Sequence, residues 1–353
     1  MKPAATPLPL LRPSDDGLSA KQLQRRAGAG ELTRLRRGIY TERAAWESAY
    51  PSERHLCAAA AAAMAKQRPL FCRETALALH GVPLLHAPQA VHLRTGDSRK
   101  AHTERKASEK AYAALPLKHV SLPRPAHLTR SEADAGYRAQ ELAVPQQPLK
   151  PGVFAPFLEA EPLTAALERL PFAVVDTVPR MTEAAGVVVL DAVLGGRVPD
   201  TKALKREDLA RWEGLLPSMA ARRVWEQRLA FADGLSESVG ESWSRVLFRS
   251  LGFAAPMLQR EVRLPEGRLA RADFCWEEAG VLGEFDGKVK YSRGRRLQGA
   301  DVEKVLYREK LREDALRALG WTVVRWGWEE LGRPRELARR LRAAGVPASG
   351  GLR

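Results

Sequence analysis

Apolar residues in the C-terminal third of the chain follow first a helical and then a strand-like spacing. Residues 236–251 carry apolar side chains three or four positions apart and stop before Gly252. That spacing predicts an amphipathic helix ending at the glycine. Short apolar runs then predict strands at 260–264, 271–276 and 281–291, followed by a helix at 301–319 and a strand at 321–326. The predicted order is α-β-β-β-α-β.

The N-terminal half has shorter and less regular patterns. Ser19-Ala-Lys-Gln22 has the form of a capping box that opens a helix, and residues 31–40 predict two strands joined at Arg36-Arg37-Gly38. Further helices are predicted at 53–64, 73–80, 163–170, 181–194 and 205–229, and strands at 90–95 and 117–122. A proline-rich passage at 123–162 predicts an irregular connection. We therefore expect an α/β protein with regions at 1–50, 51–228 and 229–345.

Charged residues recur on one face of the last predicted strand. Side chains of a strand alternate between faces, so Glu284, Asp286 and Lys288 project together, with Lys290 at the same parity and Asp273 on the preceding strand. Carboxylates on one face repel one another unless a cation lies among them, and oxygen ligands suit Mg²⁺ or Mn²⁺. Such a metal polarises a phosphoryl oxygen while a lysine stabilises the developing charge. The alternative is an exposed strand face of mixed charge.

Asp273 followed by Glu284-Phe-Asp286-Gly-Lys288, on paired strands between two helices, resembles the PD-(D/E)XK nuclease superfamily. The similarity is greatest to its very-short-patch-repair-like branch of small bacterial endonuclease domains, and it covers residues 236–331. It implies a restriction-endonuclease-like domain in which carboxylates hold Mg²⁺ and a lysine assists catalysis. Either Asp286 or Glu284 joins Asp273 as the main pair, with Lys288 or Lys290 as the cation. We favour Asp273 and Glu284 as metal ligands, with Asp286 adjacent.

The resemblance also implies a further acidic ligand from the first helix of the domain. Glu241 and Glu237 are the candidates, and Glu241 lies off the main apolar stripe of its helix. The alternative for Glu241 is a solvated surface acid.

Two features that the resemblance to very-short-patch-repair enzymes implies, a catalytic histidine and a structural zinc site, are missing from this domain. All seven histidines lie between His55 and His127, so the domain has no catalytic histidine of its own. The three cysteines, Cys57, Cys72 and Cys275, are far apart, so we expect no zinc site. The chemistry should then depend on carboxylates, a metal and a lysine.

The helix predicted at 301–319 places Glu309 and Arg312 within its apolar stripe. A charged pair in such a stripe is costly unless it is paired or functional. The two side chains either bridge each other, or Arg312 supports the metal ligands or contacts a phosphate of DNA.

Charge favours a polyanionic partner. The net charge is +15 and the pI is near 10.1. From Lys288 onward, 17 lysines and arginines face eight acidic residues, so the excess is concentrated at and after the candidate site. Basic surface supplies most non-specific affinity for nucleic acid.

The run Gly30-Glu-Leu-Thr-Arg-Leu-Arg-Arg-Gly-Ile-Tyr40, after a short helix, resembles the N-terminal winged-helix domain of AbiEi-type antitoxins, which are transcriptional repressors. The resemblance covers about 50 residues. It implies that Arg34, Arg36 and Arg37 contact DNA phosphates or a groove. The alternative is a basic hairpin that packs on the next domain.

Other classes of function lack their motifs. The chain has no Walker-type glycine loop and no Gly-x-Ser-x-Gly elbow, which argues against nucleotide-driven work and serine hydrolysis. No run is long and apolar enough to span a membrane, and three unpaired cysteines suit a reducing interior, so we expect a cytoplasmic protein.

These observations predict a Mg²⁺-dependent or Mn²⁺-dependent DNA endonuclease with a winged-helix DNA-binding arm. A non-catalytic DNA-binding regulator is one alternative. An antitoxin-like component of a toxin-antitoxin pair, with a protein partner, is another. The sequence leaves open whether the substrate is DNA or RNA.

Overall fold

A computed structural model describes residues 8–13, 17–66, 69–96, 99, 101, 115–125, 129, 131, 143–148, 164–287 and 300–350. The chain divides into two compact units. The described residues of Ala5–Thr182 and Gly196–Ala230 form the N-terminal unit, and those of Glu183–Gly195 and Phe231–Arg353 form the C-terminal unit. Among the described residues, no helix combines the length and apolar character that a membrane crossing requires.

The N-terminal unit begins with a helix and a hairpin and continues into a mixed sheet with surrounding helices. Its elements are α1 (Ala20–Gly28), β1 (Leu32–Arg36), β2 (Ile39–Glu42), α2 (Arg43–Ser48), α3 (Pro51–Ala65), β3 (Leu70–Phe71), α4 (Arg73–Leu79), β4 (Val91–Thr95), β5 (Leu117–Ser121), β6 (Ala143–Pro148), β7 (Thr164–Glu168) and α5 (Leu170–Thr177). The chain then forms α6 (Glu183–Leu194), which belongs to the C-terminal unit, before α7 (Arg206–Ala210) and α8 (Met219–Phe231).

The C-terminal unit resumes with the predicted order of elements. They are α9 (Val239–Ser250), β8 (Met257–Arg263), β9 (Leu269–Trp276), β10 (Val281–Phe285), α10 (Ala300–Ala318), β11 (Thr322–Trp326), α11 (Trp328–Leu331) and α12 (Pro334–Ala343). The α-β-β-β-α-β prediction is confirmed for α9 through β11. Strand β10 is shorter than expected, because it ends at Phe285 rather than at residue 291.

The first elements of the N-terminal unit follow their local sequence signals. The Ser19 Oγ accepts the Gln22 N–H at 3.2 Å, and the Gln22 side chain accepts the Ser19 N–H at 2.7 Å, which completes the capping box of α1. Strands β1 and β2 pair antiparallel, and Gly38 has a φ of 75° in the turn between them. The predicted helix and hairpin are therefore confirmed as elements.

The five-stranded sheet of the N-terminal unit has the order β5-β4-β3-β7-β6. Strands β4 and β5 occur where strands were predicted, and a run of buried alanines in α3 contributes to the adjoining core. The predicted helix at 163–170 is wrong, because Thr164–Glu168 forms strand β7 and α5 starts only at Leu170. The helix predicted at 205–229 is interrupted, and α8 starts two residues after Pro217, where a proline disfavours continued helix.

A buried ion network accompanies strand β7, which pairs with β3 and β6. Arg94 on β4 donates to both carboxylate oxygens of Glu168 on β7 and, at 2.8 Å, to Asp176 on α5. Both acids are almost fully buried. Burial raises the pKa of Glu168, whereas for Asp176 the neighbouring Arg94 and Arg73 outweigh burial and hold the pKa below its usual range. Tertiary pairing of strands and charges thus overrides the local helical signal.

The C-terminal sheet has the order β11-β10-β9-β8. Strand β9 pairs antiparallel with β8 and β10, and β10 pairs parallel with β11. A cluster of rings including Phe248, Phe274 and Trp326 fills the core between α9 and the sheet. The sheet therefore places the central strands β9 and β10 against a fixed apolar layer.

Replacement of Arg94 by methionine should destabilise the N-terminal unit by about 3–5 kcal/mol, because two buried carboxylates lose their shared cation. Arg333→Met is the control, since its ion pair with Glu329 is mostly exposed and should contribute less than about 1 kcal/mol. Urea denaturation measures both changes. Equal midpoints for the two variants would contradict a structural role for the buried network.

Candidate active site

A pocket of about 180 Å³ lies where β9 and β10 run side by side. The register pairs Gly283 with Phe274, so its extension by one residue sets Glu284 across from Asp273. We call this the carboxylate pocket. The residues that line it are Arg271, Asp273, Glu284, Phe285, Asp286, Glu309, Arg312 and Arg325. The structure therefore brings the two favoured ligands together.

Asp273 has a strongly perturbed carboxylate. Burial, together with the negative charge of Glu241, raises its pKa to about 6. Hydrogen bonds from the Phe285 N–H, at 2.8 Å to Oδ2, and from the Gln259 side chain limit that rise. A carboxyl group that titrates this close to neutrality is a candidate for functional chemistry.

Glu284 is held by two arginines from neighbouring elements. Arg312 on α10 and Arg325 on β11 each approach a different Glu284 oxygen at 2.8 Å. Burial raises the pKa of Glu284, and the two arginines oppose that effect. The guanidinium groups neutralise the carboxylate and fix its orientation.

The charged pair of α10 has partners outside its own helix. Arg312 donates to the Glu284 carboxylate and to the Arg271 carbonyl, while Glu309 faces Arg325 at 3.7 Å. The expected internal bridge between Glu309 and Arg312 is therefore replaced by contacts to the sheet. Arg312 occupies the supporting position next to a candidate metal ligand.

Helix α9 places Glu241 close enough to Asp273 for its charge to affect that carboxyl. The Ser238 Oγ accepts the Glu241 N–H at 3.1 Å and caps the helix. The Glu241 side chain is only 6% exposed, and its Oε2 accepts hydrogen bonds from Gln259 and from the Glu237 N–H. The Glu237 carboxylate instead pairs with Arg271 in an exposed position. Of the two candidates, Glu241 has the larger effect on the pKa of Asp273, and it is buried rather than a solvated surface acid.

Two glycines leave room for the aromatic rings that pack between α9 and the sheet. A Cβ atom at Gly240 would lie 2.0 Å from the Phe285 ring, and one at Gly283 would lie 2.6 Å from the Trp326 ring. Ser244 adds a polar contact, because its Oγ accepts the Trp326 indole N–H at 2.8 Å and donates to the Gly240 carbonyl. The packing fixes Glu241 relative to the strands.

The predicted lysines lie outside the described residues, so the structure gives no position for Lys288 or Lys290. Asp286 is the first residue after β10, where its N–H donates to the Trp326 carbonyl at 2.7 Å, and it lines the carboxylate pocket. Asp286 therefore enters the site from the strand end rather than from within the strand.

The carboxylate oxygens of this pocket are ligands of the type that Mg²⁺ prefers. Within the ranges that the structure describes, no three or more histidine, cysteine, aspartate or glutamate side chains form a group arranged for a metal. Mg²⁺ commonly uses one or two protein carboxylates and completes its octahedron with waters and substrate phosphates. Asp273 and Glu284 would supply such a pair, with Glu241 and Asp286 close by.

Sequence reasoning missed Arg271, Arg325 and Gln259. Arg325 lies on a strand that reads as apolar, and Gln259 lies on β8 among residues of mixed character. Arg325 follows two valines and precedes a tryptophan, so a charge inside an apolar run was an available signal. No comparable signal distinguishes Gln259.

The three arginines of the hairpin differ in their surroundings. The Arg36 guanidinium donates to the carbonyls of Leu35 and Leu115 at 2.7 and 2.9 Å, so it is committed to packing within the N-terminal unit. Arg34 is partly buried and donates to the Arg36 carbonyl at 3.4 Å, whereas Arg37 is exposed at the turn. The hairpin therefore combines a packing arginine with an exposed one.

Comparisons with known proteins give limited matches. No family model matches the chain, and no solved structure matches it significantly. Two uncharacterized proteins, one from each of two strains of Mycobacterium tuberculosis, are 30% identical to it over 116 residues. The matched segment covers 33% of this chain and 38% of each relative.

Proposed function

We propose that the C-terminal unit is a metal-dependent endonuclease that hydrolyses phosphodiester bonds in DNA. The observation that carries the proposal is the meeting of Asp273 and Glu284 in the carboxylate pocket, across β9 and β10. Carboxylates drawn together in a partly buried site favour a hard divalent cation. The basic character of the chain supports a polyanionic substrate.

Each residue would have a distinct role. Asp273 and Glu284 would hold Mg²⁺ or Mn²⁺, which when bound acidifies a water and polarises the phosphoryl oxygen. Arg312 and Arg325 would orient Glu284 and keep positive charge near the scissile phosphate. Lys288 or Lys290, as the superfamily resemblance implies, would stabilise charge that develops in the transition state.

A regulator without catalysis is the second candidate. The observation that favours it is that both Glu284 oxygens are already paired with arginines, as in a structural ion-pair cluster. In that case the basic surface would bind DNA and the carboxylates would only stabilise the fold. An AbiEi-like antitoxin would be a regulator of this kind, with its winged helix on the operator and a protein partner.

Cleavage separates the two candidates. With Mg²⁺ or Mn²⁺, the wild type should nick supercoiled plasmid, and Asp273→Asn should lower the rate by more than about a hundredfold, because metal-held charge stabilisation is worth several kcal/mol. Linear duplex, single-stranded DNA and RNA incubated in parallel identify the substrate.

The control for this assay is Asp314→Asn, which makes the same chemical change on α10 outside the carboxylate pocket. It should cleave like the wild type. Absence of cleavage of every nucleic acid in either metal, or equal rates in wild type and Asp273→Asn, would favour the regulator.

We also propose that α1 and the β1–β2 hairpin form a winged-helix arm that binds DNA. Arg37→Gln should reduce the slope of log affinity against log salt by roughly 0.9, the value for one lost phosphate contact. Arg36→Gln should leave that slope unchanged and lower the melting temperature, since its guanidinium bonds backbone carbonyls.

Fluorescence anisotropy of labelled duplex at several salt concentrations measures both effects. An unchanged slope in Arg37→Gln, with wild-type melting, would assign the turn to a surface that does not touch DNA.

A further inference from the structure

Gln259 has an unusual backbone conformation in the middle of a strand. Its φ is 51°, in the left-handed region that residues other than glycine, asparagine and aspartate seldom adopt. The ladder pairs on either side, Leu258 with Phe274 and Arg260 with Ala272, set Gln259 across from Asp273. A strained residue that persists within a regular ladder is stabilised by its surroundings and is often functional.

The side chain of Gln259 lies beside two acids of the site. Its Nε2 donates to the Glu241 Oε2 at 2.9 Å, and the residue lies across from Asp273, whose pKa its side chain lowers. The Oε1 atom is buried and accepts no hydrogen bond from the described residues. The amide therefore uses its donor end on a carboxylate and leaves its acceptor end without compensation, an arrangement that costs free energy.

This arrangement offsets a specific repulsion. Glu241 comes from α9 and Asp273 from β9, and the negative charge of Glu241 is one reason for the raised pKa of Asp273. Two acids on separate elements would move apart unless a donor held both. An amide with two N–H groups meets that need without adding a positive charge that would compete with a metal.

We propose that Gln259 is a positioning residue of the carboxylate pocket, which clamps Glu241 and Asp273 so that both present oxygens to one divalent cation. The strained backbone sets the amide at the height of both carboxylates. This role rests on the proposed metal-dependent function and adds a residue that acts through the ligands rather than on the substrate.

Two substitutions separate positioning from structure. Gln259→Gly removes the clamp and also relieves the backbone strain, so it should melt no lower than the wild type while it binds Mn²⁺ at least about tenfold more weakly, the usual effect of losing a partner of a metal ligand. Gln259→Glu keeps the size and the strain but replaces donors by a third acid. It should also bind Mn²⁺ more weakly, because the amide donors are lost, and binding at least as tight as in the wild type would overturn the positioning role.

Electron paramagnetic resonance of free Mn²⁺ gives the dissociation constants, and calorimetry gives the melting temperatures. Cleavage by Gln259→Gly should recover as Mn²⁺ is raised, because a positioning defect raises the metal requirement. If Gln259→Gly does not fold, Gln259→Asn, which tolerates the left-handed region but is one methylene shorter, takes its place with the same expected loss of affinity.

Two outcomes separate the role of Gln259 from the proposed metal-dependent function. Wild type that binds Mn²⁺, with a glycine variant whose affinity is within about twofold of it, would overturn the role of Gln259 alone, since losses from removing a ligand's partner are larger. Wild type that binds no Mn²⁺ and cleaves nothing would overturn the endonuclease proposal together with this role.

Discussion

Carboxylates that leave water lose hydration and repel one another, and the C-terminal unit gathers Asp273, Glu284 and Glu241 under that constraint. Each acid has its own compensation. Glu284 has two arginines, Glu241 has the Gln259 amide and a backbone N–H, and Asp273 has the Phe285 N–H and the same amide. Burial and the charge of Glu241 nevertheless raise the pKa of Asp273 to about 6, so its compensation is incomplete. A divalent cation would supply what the protein groups leave out.

The surrounding fold fixes the helix that carries Glu241 against the strands that carry Asp273 and Glu284. The absence of side chains at Gly240 and Gly283 lets rings from β10 and β11 fill the space between α9 and the sheet. The indole of Trp326 is anchored by Ser244, one turn after Gly240. A larger residue at Gly240 would clash with the Phe285 ring and push α9 away from the strands, and one at Gly283 would displace the Trp326 ring. The geometry of the site therefore depends on the packing of the core.

The sequence predicts the order of the C-terminal elements because each has a clear period and a clear end. It also predicts that Asp273 and Glu284 share a face, since strand alternation and a short turn nearly determine the register. It offers Arg312 only as one of two alternatives and does not predict Arg325; these partners of Glu284 lie 28 and 41 positions further along the chain on separate elements. Glu168 shows the same limit, because its segment has helical spacing but pairs as a strand with β3 and β6 and places Glu168 against distant Arg94. The position of the Gln259 side chain depends on a left-handed backbone conformation, which cannot be predicted from the residue type.

The most direct measurement is the affinity for Mn²⁺ as a function of pH in the wild type and in Asp273→Asn. A proton on Asp273 competes with the metal, and its pKa in the metal-free protein is about 6. The account predicts that affinity rises about tenfold per pH unit below that value and levels off above it, while Asp273→Asn binds weakly without that dependence. Equal affinity in the two proteins across this range would contradict a metal site at Asp273.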